Sequence, residues 1–314
     1  MKEPVVTRNI QFQKGISLAA FQKLFGTEDK CRVALQNDRW PRGFECPRCG
    51  STRGHALHAR PVVQCGGCRK QTSLTANTLF HSTKLPLTTW FLALYFITQT
   101  KTGMSTLELS RHLGVQQNTA WLILHKIMSA MAEREADRRL EANIEVDDAY
   151  IGGRLHDQKV GRGSPNKVPF VLAVEKTLDG NPRRVVVSVL EGFRKPVIAR
   201  WMKTHVAPGS RVESDGLSCF RAAAELGHDH RPVAVKGDRG ILNTKFFWSS
   251  TVLGNLKTSL LGVYHKAKHK YLPRFFGLFQ YRFNRRMNLE WLMTGTFRLA
   301  ARSGPRPLWV LRVG

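Results

Sequence analysis

Two Cys-x-x-Cys pairs constrain this chain more than any other feature of its sequence. Cys46 and Cys49 form the first pair, and Cys65 and Cys68 form the second after an intervening stretch of fifteen residues. This spacing is typical of zinc ribbons, in which four thiolates lie at the corners of a tetrahedron around Zn²⁺. Four cysteine ligands leave no open coordination position, so we expect a structural zinc site. The alternative is a chance spacing of four free thiols.

The charge of the chain is extreme and is spread along its length. There are 49 Lys and Arg against 23 Asp and Glu, a formal net charge of +26 in 314 residues. Self-repulsion of this kind destabilises a compact fold, so a polyanionic partner explains it best, and double-stranded DNA is favoured over a membrane surface. The most apolar run, residues 90–97, is too short to cross a bilayer. We therefore expect a cytoplasmic protein whose cysteines are reduced or metal-bound.

Residues 103–127 are predicted to form two helices joined by a glycine turn. Ser105 and Glu108 fit a capping box at the start of the first helix, and Gly114 is typical of the turn that ends it. This order indicates a helix-turn-helix, whose second helix presents its first residues to base edges; an ordinary helical hairpin is the alternative. The residues expected to contact DNA there are Gln116, Gln117, Asn118 and Thr119.

Residues 144–153 are predicted to form a strand with an unusual number of acidic side chains. Glu145, Asp147 and Asp148 interrupt a run of β-branched and aromatic residues that ends in a Gly-Gly pair. A carboxylate in a half-buried strand is unfavourable unless it is paired or binds a metal. The alternative is that these acids lie on a solvated face of the strand.

Beyond this strand the pattern predicts strands alternating with helices. We expect strands at 168–175 and 183–190, a helix at 195–205 and a further strand that ends at Asp215. Asp215 thus lies at a carboxyl strand end, where ligand-binding side chains collect in α/β sheets. Asp147 and Asp215 are therefore candidates to hold Mg²⁺ or Mn²⁺ between two strands, for displacement at phosphorus. The Gly- and Lys/Arg-rich stretch at 152–167 is predicted to be a phosphate-facing loop.

In its motifs the chain resembles the ISXO-like group of bacterial insertion-sequence transposases. The order of zinc ribbon, helix-turn-helix, EVDDAYIGG, VESDG, GNLKTSLLGVYH and YLPRFFGLFQYRFNRR carries the resemblance, which runs from about Phe21 to Arg286. It implies a DDE-class catalytic domain with an RNase H-like fold, an α/β mixed sheet with flanking helices within a multi-domain α+β chain. It also implies an enzyme that binds the terminal inverted repeats of an insertion sequence and catalyses metal-dependent DNA cleavage and strand transfer.

The resemblance also assigns roles to individual residues. Asp147 and Asp215 match the first two catalytic acids, while Asp148 is expected to have a supporting role. Asn255, in Gly-Asn-Leu-Lys, matches the Asn form of the third catalytic residue; the alternative is a plain polar surface residue. Leu278 replaces a Glu that is frequent in the family. The cations expected to contact DNA phosphates are Lys257, Arg282 and Arg285, with Lys257 in the catalytic site.

The resulting domain organisation has five parts. We expect an N-terminal helical segment at 1–40, the zinc ribbon at 41–80, the helix-turn-helix region at 81–140, the catalytic domain at 141–290 and a C-terminal tail at 291–314. Joining two DNA ends favours a homo-oligomer on DNA, associated with the bacterial nucleoid. The alternative function is a catalytically decayed transposase, or a zinc-ribbon and helix-turn-helix protein that acts only as a DNA binder or regulator.

Overall fold

The computed structural model describes residues 15–57, 62–152, 166–233, 245–264 and 268–313. They form two compact units. One takes its described residues from Phe12–Met131 and Arg285–Gly314, and the other from Ala132–Asn284. The predicted phosphate-facing loop at 152–167 lies almost wholly outside the described residues. Among those that are described, no helix combines the length and the apolar composition needed to cross a bilayer.

The first unit is mainly helical and has an aromatic core. Phe91 and Phe297 are buried with ring centroids 4.6 Å apart, and Phe21 packs on Tyr95 at 4.7 Å. The carboxylate of Glu28 accepts hydrogen bonds from the first backbone N–H groups of the third helix, which has no cap of its own. Its helices are α1 (Leu18–Phe25), α2 (Glu28–Arg39), α3 (Leu87–Gln99), α4 (Thr106–Leu113), most of α5 (Gln117–Glu135), α10 (Leu289–Arg302) and α11 (Leu308–Val313).

A small antiparallel sheet in this unit carries the cysteines. Its strands are β1 (Gly54–Leu57), β2 (Val62–Cys65) and β3 (Gln71–Ser73), in the order β1-β2-β3. Cys65 ends the central strand, and its backbone N–H donates to the carbonyl of Lys70 across a tight turn. The sheet thereby fixes the position of one Cys-x-x-Cys pair.

The last stretch of the chain is helical where the sequence indicated only a tail. In α10 the buried side chains include Leu292, Met293, Thr296, Phe297 and Ala300, a spacing that places them on one helical face. This face packs against α2 and α3. The start of α10 is fixed by Asn288, whose side chain accepts a hydrogen bond from the N–H of Trp291 at 2.8 Å.

The second unit is built on a five-stranded mixed sheet in the order β6-β5-β4-β7-β8. β4 pairs antiparallel with β5 and parallel with β7, β5 pairs antiparallel with β6, and β8 runs parallel to β7. The mixed sheet expected from the resemblance is confirmed. The strands are β4 (Asn143–Ile151), β5 (Val168–Lys176), β6 (Pro182–Val189), β7 (Arg211–Asp215) and β8 (Asp229–Val233).

Helices cover both faces of this sheet, because alternate strand residues are apolar on each side. Ile144 and Val146 of β4 belong to a buried cluster with Trp201 of helix α6 (Lys195–His205), which the short helix α7 (Ala222–Glu225) also joins. On the opposite face, Phe170 of β5 packs 4.9 Å from Phe276. The helices on that face are α8 (Phe247–Tyr264) and α9 (Leu272–Phe283). The RNase H-like arrangement of a mixed sheet between helices is thus confirmed.

Helix α9 also satisfies the edge of the sheet. Strand β6 is an outer strand, and the backbone N–H groups of Val185 and Val187 donate to the side-chain oxygens of Asn284 (2.7 Å) and Gln280 (3.0 Å). Free backbone N–H groups on an edge strand can pair with a strand of another chain. The side-chain oxygens of Asn284 and Gln280 occupy two of these groups and so prevent such pairing there. On the same side of α9, a Cβ at Gly277 would lie 2.4 Å from the Cα of Ala132, so only glycine allows this close approach to Ala132.

Candidate active site and zinc site

The four cysteines of the first unit come together. Their sulfur atoms all lie within 4.8 Å of one another, with 3.6 Å between Cys46 and Cys68 and 3.6 Å between Cys49 and Cys65. A tetrahedral zinc with Zn–S bonds of about 2.3 Å has sulfur–sulfur edges of about 3.8 Å, so this donor set fits structural Zn²⁺. The backbone N–H groups of Cys68 and Gly67 lower the pKa of Cys65 to about 6, which favours the thiolate that binds metal.

The second unit places two pairs of carboxylates on one face of its sheet. Glu145 on β4 lies directly opposite Glu213 on the parallel strand β7. Side chains two residues apart on a strand share a face, so Asp147 and Asp215 form the next pair along both strands. Asp148 projects from the opposite face. The sequence contains the signal for this arrangement, a Glu-x-Asp repeated in both strands, although only the aspartates were singled out from it.

A lysine bridges the glutamate pair. The ammonium of Lys176 lies 3.2 Å from the carboxylate of Glu145 and 2.8 Å from that of Glu213. Burial alone would lower the pKa of Lys176, but the two carboxylates outweigh it and the pKa is raised. Only 2% of Glu145 is exposed, and burial raises the pKa of its carboxyl, against the opposing effect of Lys176. The two glutamates and Lys176 therefore form an ionic cluster in which Glu145 is buried and the other two side chains are partly exposed.

The aspartate pair has no such bridge among the described residues. The pKa of Asp147 is raised to about 7, mainly by burial and also by the carboxylates of Asp148 and Asp215, while Lys257 acts in the opposite direction. Asp215 ends β7 and accepts a hydrogen bond from the backbone N–H of Leu217 at 3.2 Å. Two adjacent, half-buried carboxylates that no described cation bridges are suited to binding a hard divalent cation.

Helix α8 contributes a cation that acts on the aspartate pair. Its first turn is held to β4, since the backbone N–H of Ser249 donates to Glu145 at 2.8 Å. Lys257, two turns later, is close enough to Asp147 to lower the pKa of its carboxyl. Asn255 is exposed. Because an α-helix turns by about 100° per residue, Asn255 and Lys257 lie about 160° apart around the helix axis. The structure therefore does not bring Asn255 to the side of α8 that carries Lys257.

The two arginines predicted to contact DNA lie in different surroundings. Arg282, on α9, is half-buried, and burial lowers the pKa of its guanidinium against the effect of Tyr264. Arg285, which belongs to the first unit, lies with its guanidinium carbon 5.8 Å from the ring centroid of Trp291. Both therefore have protein partners, and their contact with DNA stays a prediction.

The predicted DNA-reading residues lie between helices α4 and α5 and at the start of α5. Ser105 accepts a hydrogen bond from the N–H of Glu108 at 3.2 Å, which confirms it as the cap of α4. Gly114 ends that helix in the left-handed conformation with φ of 64°. At the start of α5, Gln116, Gln117 and Asn118 are exposed and Thr119 is half-buried. Three polar side chains are thus accessible at the opening of the second helix.

Two parts of the chain match models of known protein families. Residues 139–284 match the ISXO2-like transposase domain, and residues 26–71 match the transposase zinc-ribbon domain. These two domains are those of a transposase, in agreement with the zinc ribbon and the mixed sheet. The chain thus contains an ISXO2-like transposase domain and a transposase zinc-ribbon domain. The predicted zinc ribbon and the predicted resemblance to ISXO-like transposases are confirmed.

Individual proteins and solved structures match the chain at low sequence identity. An uncharacterized protein in transposable element ISH50 of Halobacterium salinarum is 28% identical over 170 residues, which cover 48% of this chain. The match spans only 56% of that relative's own length. Among solved structures, the chain aligns with the Mos1 strand transfer complex at 11% identity over 63% of this chain and 75% of that one, with a TM-score of 0.23. A pre-cleavage Mos1 transpososome aligns at 9% identity over 59% and 72% of the two chains, with the same TM-score.

Proposed function

We propose that this protein is a DDE-class transposase that binds the terminal inverted repeats of an insertion sequence and catalyses metal-dependent cleavage and strand transfer of DNA. The observation that carries the proposal is the aspartate pair. Asp147 and Asp215 lie side by side in a strongly basic chain, and among the described residues only the neighbouring glutamate pair is bridged by a lysine. A protein that merely binds DNA has no need of an unbridged carboxylate pair, because its repulsion from phosphate is unfavourable unless a cation intervenes.

The side chains of this site have distinct roles in the proposal. Asp147 and Asp215 would hold Mg²⁺ or Mn²⁺, which activates the attacking oxygen and stabilises the leaving oxygen in a displacement at phosphorus. With a pKa of about 7, Asp147 is about half protonated at neutral pH in the absence of a metal ion. Lys257 lies beside Asp147 and would bind a non-bridging oxygen of the same DNA phosphate. The first nucleophile is then water, and the second is the DNA 3′-hydroxyl.

DNA recognition is proposed to lie in the first unit. The zinc ribbon and the exposed residues Gln116, Gln117 and Asn118 supply a basic module and polar side chains at a helix start. Asn and Gln pair in a bidentate manner with adenine, whereas lysines and arginines bind the backbone. The net charge of +26 supports DNA as the partner. We further propose that the protein acts as a homo-oligomer, because two element ends must be joined, and that it associates with the bacterial nucleoid in the cytoplasm.

The experiment that tests this function compares wild-type protein with Asp147→Asn and Asp215→Asn on a duplex that carries the element's own end. The proposal expects wild-type protein to nick the duplex in Mg²⁺ or Mn²⁺. Both variants should bind the duplex with unchanged affinity and fail to cut it. Wild-type protein that binds the end but never nicks it in either metal would overturn the enzymatic claim.

A second candidate function is a decayed transposase that binds ends without cutting them. One observation favours it: within the described residues no third carboxylate joins Asp147 and Asp215 at metal-binding spacing. Asn255, proposed as the third catalytic residue, is exposed and lies on the side of α8 away from Lys257. Cleavage of end DNA by wild-type protein would exclude a decayed transposase, and Asn255→Ala would then test the role of Asn255. Loss of cleavage in this variant would keep Asn255 in the site, and full activity would remove it.

A further inference from the structure

The first turn of helix α8 makes two hydrogen bonds to the sheet, one to strand β4 and one to the turn between β5 and β6. The backbone N–H of Ser249 donates to the carboxylate of Glu145 at 2.8 Å, and this carboxylate is itself buried. One residue earlier, the indole N–H of Trp248 donates to the carbonyl of Gly180 at 2.6 Å, in the turn that joins β5 to β6. A negative charge at the first turn of a helix also interacts favourably with the helix dipole. Glu145 thus fixes where α8 begins.

The spacing of strand and helix relates this attachment to the aspartate pair. Asp147 lies two residues beyond Glu145, about 7 Å along β4. Lys257 lies eight residues beyond Ser249, about 12 Å along α8. Helical side chains point back toward the helix N-terminus, so the Lys257 ammonium lies well before its own Cα. This direction brings the ammonium back toward Asp147, in agreement with its effect on the pKa of that carboxyl.

We propose that Glu145 is a positioning residue that holds Lys257 beside the Asp147–Asp215 pair through the backbone N–H of Ser249. The inference deepens the proposed function and rests on it for the catalytic importance of Lys257. Lys176 completes the arrangement, because it lets Glu145 remain buried and ionised while its second oxygen binds the helix. A displacement of α8 would therefore move a cation that lowers the pKa of Asp147.

The matched variants follow from this geometry. Glu145→Asp keeps the charge near Lys176 but is one methylene too short to reach Ser249. Glu145→Gln loses the charge but keeps an oxygen that can accept the Ser249 N–H. Glu213→Gln removes the other partner of Lys176 and leaves the attachment of α8 intact. Lys257→Met defines the background in which the cation is absent.

The direct readout is proximity rather than activity. A zero-length carbodiimide reagent activates the Asp147 carboxyl, and attack by the Lys257 amine forms an amide as the urea leaves; mass spectrometry of the digested full-length protein measures its yield. We expect the cross-link in wild type, Glu145→Gln and Glu213→Gln. In Glu145→Asp and Glu145→Ala it should fall to the background of Lys257→Met. If Glu145→Ala does not fold, Glu145→Asp decides. A folded Glu145→Asp protein with wild-type yield would overturn the proposal.

A double-mutant cycle adds a readout that a merely structural role does not move. On end DNA, Glu145→Asp should lower the cleavage rate by about 10²-fold, the size of effect that a misplaced catalytic group produces. Combined with Lys257→Met it should cause no further loss beyond that of Lys257→Met alone. Additive losses would show that Glu145 does not act through Lys257. Absence of cleavage by wild-type protein would count against the proposed function, and the cross-linking result would still test the positioning role.

Discussion

Asp147 and Asp215 occupy neighbouring positions on two parallel strands, and the carboxylate of Asp215 helps to raise the pKa of Asp147. Two residues earlier on the same strands, Glu145 and Glu213 both form ion pairs with the ammonium of Lys176. The face thus presents two carboxylate pairs, and among the described residues only the glutamate pair is bridged by a lysine. This difference has consequences for stability, for metal binding and for catalysis.

The first consequence is a pH dependence that comes from Asp147. Its pKa is raised from 3.8 to about 7 in the folded protein, so between these values the folded state binds more protons than the unfolded chain. Stability without divalent cations should therefore fall as pH rises from about 4 to about 7. Asp147→Asn should remove this fall and be more stable than wild type at pH 8, by roughly 1–2 kcal/mol after allowance for solvent screening.

Denaturant titrations at pH 5 and pH 8 in the presence of a chelator would measure this effect. Asp179→Asn serves as the control, because Asp179 is exposed in a turn and its substitution should change neither value. An Asp147→Asn protein that is less stable than wild type at pH 8 would mean that the Asp147 carboxylate is stabilised in the fold rather than strained.

The second prediction concerns Lys176. Its replacement by Met leaves Glu145 and Glu213 side by side without their cation, and breaking a buried ion pair in this way costs about 3–5 kcal/mol. We expect Lys176→Met to be strongly destabilised at pH 8 and to regain much of the lost stability on addition of Mn²⁺. Without the lysine, Glu145 and Glu213 are two adjacent carboxylates with no bridging cation, like the aspartate pair, and can bind the metal. Thermal melts with and without Mn²⁺ test this, with Lys203→Met as an exposed control. Equal Mn²⁺ effects on both variants would contradict it.

The third prediction concerns zinc. Cys49→Ser should lower the bound zinc to below one ion per chain and expose the segment around β1–β3 to proteases, since structural zinc supplies on the order of 10 kcal/mol to small domains. Cys219→Ala is the control, because Cys219 is buried outside the cluster and should leave the zinc content unchanged. Elemental analysis together with limited proteolysis gives both readouts. An intact segment after complete loss of zinc would refute the structural role.

The fourth prediction concerns the edge of the sheet. Asn284→Ala leaves the backbone N–H and C=O of Val185 without their side-chain partner and also removes a hydrogen bond to Glu135. An unsatisfied buried group costs about 1–3 kcal/mol, so this variant should lose at least that much unfolding free energy. Asn255→Ala, at an exposed position, should change it by less than about 0.5 kcal/mol. Urea titrations compare the two, and equal small changes would show that solvent replaces the lost partner.

The sequence predicted the sheet well because strand signals are local. The strands predicted at 168–175 and 183–190 differ by one residue at most at each end from those observed, and the helix at 195–205 agrees in full. Asp215 lies at the end of its strand as expected. Alternation along a strand also determines which side chains share a face, so the pairing of Asp147 with Asp215 follows once the strands are neighbours.

Features that depend on tertiary packing were harder to predict. The face that α8 turns toward β4 is set by Glu145 and Ser249, which are 104 residues apart, and motif matching could not show that Asn255 is directed elsewhere. The ion pairs of Lys176 connect side chains of three strands. Apart from the repeated Glu-x-Asp, no local pattern in the sequence indicates them. Helix α10 was missed although its apolar spacing is helical, because it followed the last recognisable motif.

The central claim is that Asp147 and Asp215 form a metal-dependent catalytic pair, and cleavage of end DNA tests it most directly. The measurement is the rate at which a duplex carrying the terminal inverted repeat is nicked in Mg²⁺ or Mn²⁺, alongside its binding affinity, with Asp148→Asn as a control on the opposite face of β4. We predict cleavage by wild type and by Asp148→Asn, and a loss of at least about 10³-fold in Asp147→Asn and Asp215→Asn with binding unchanged. Cleavage at the wild-type rate by either of these two variants would contradict the account.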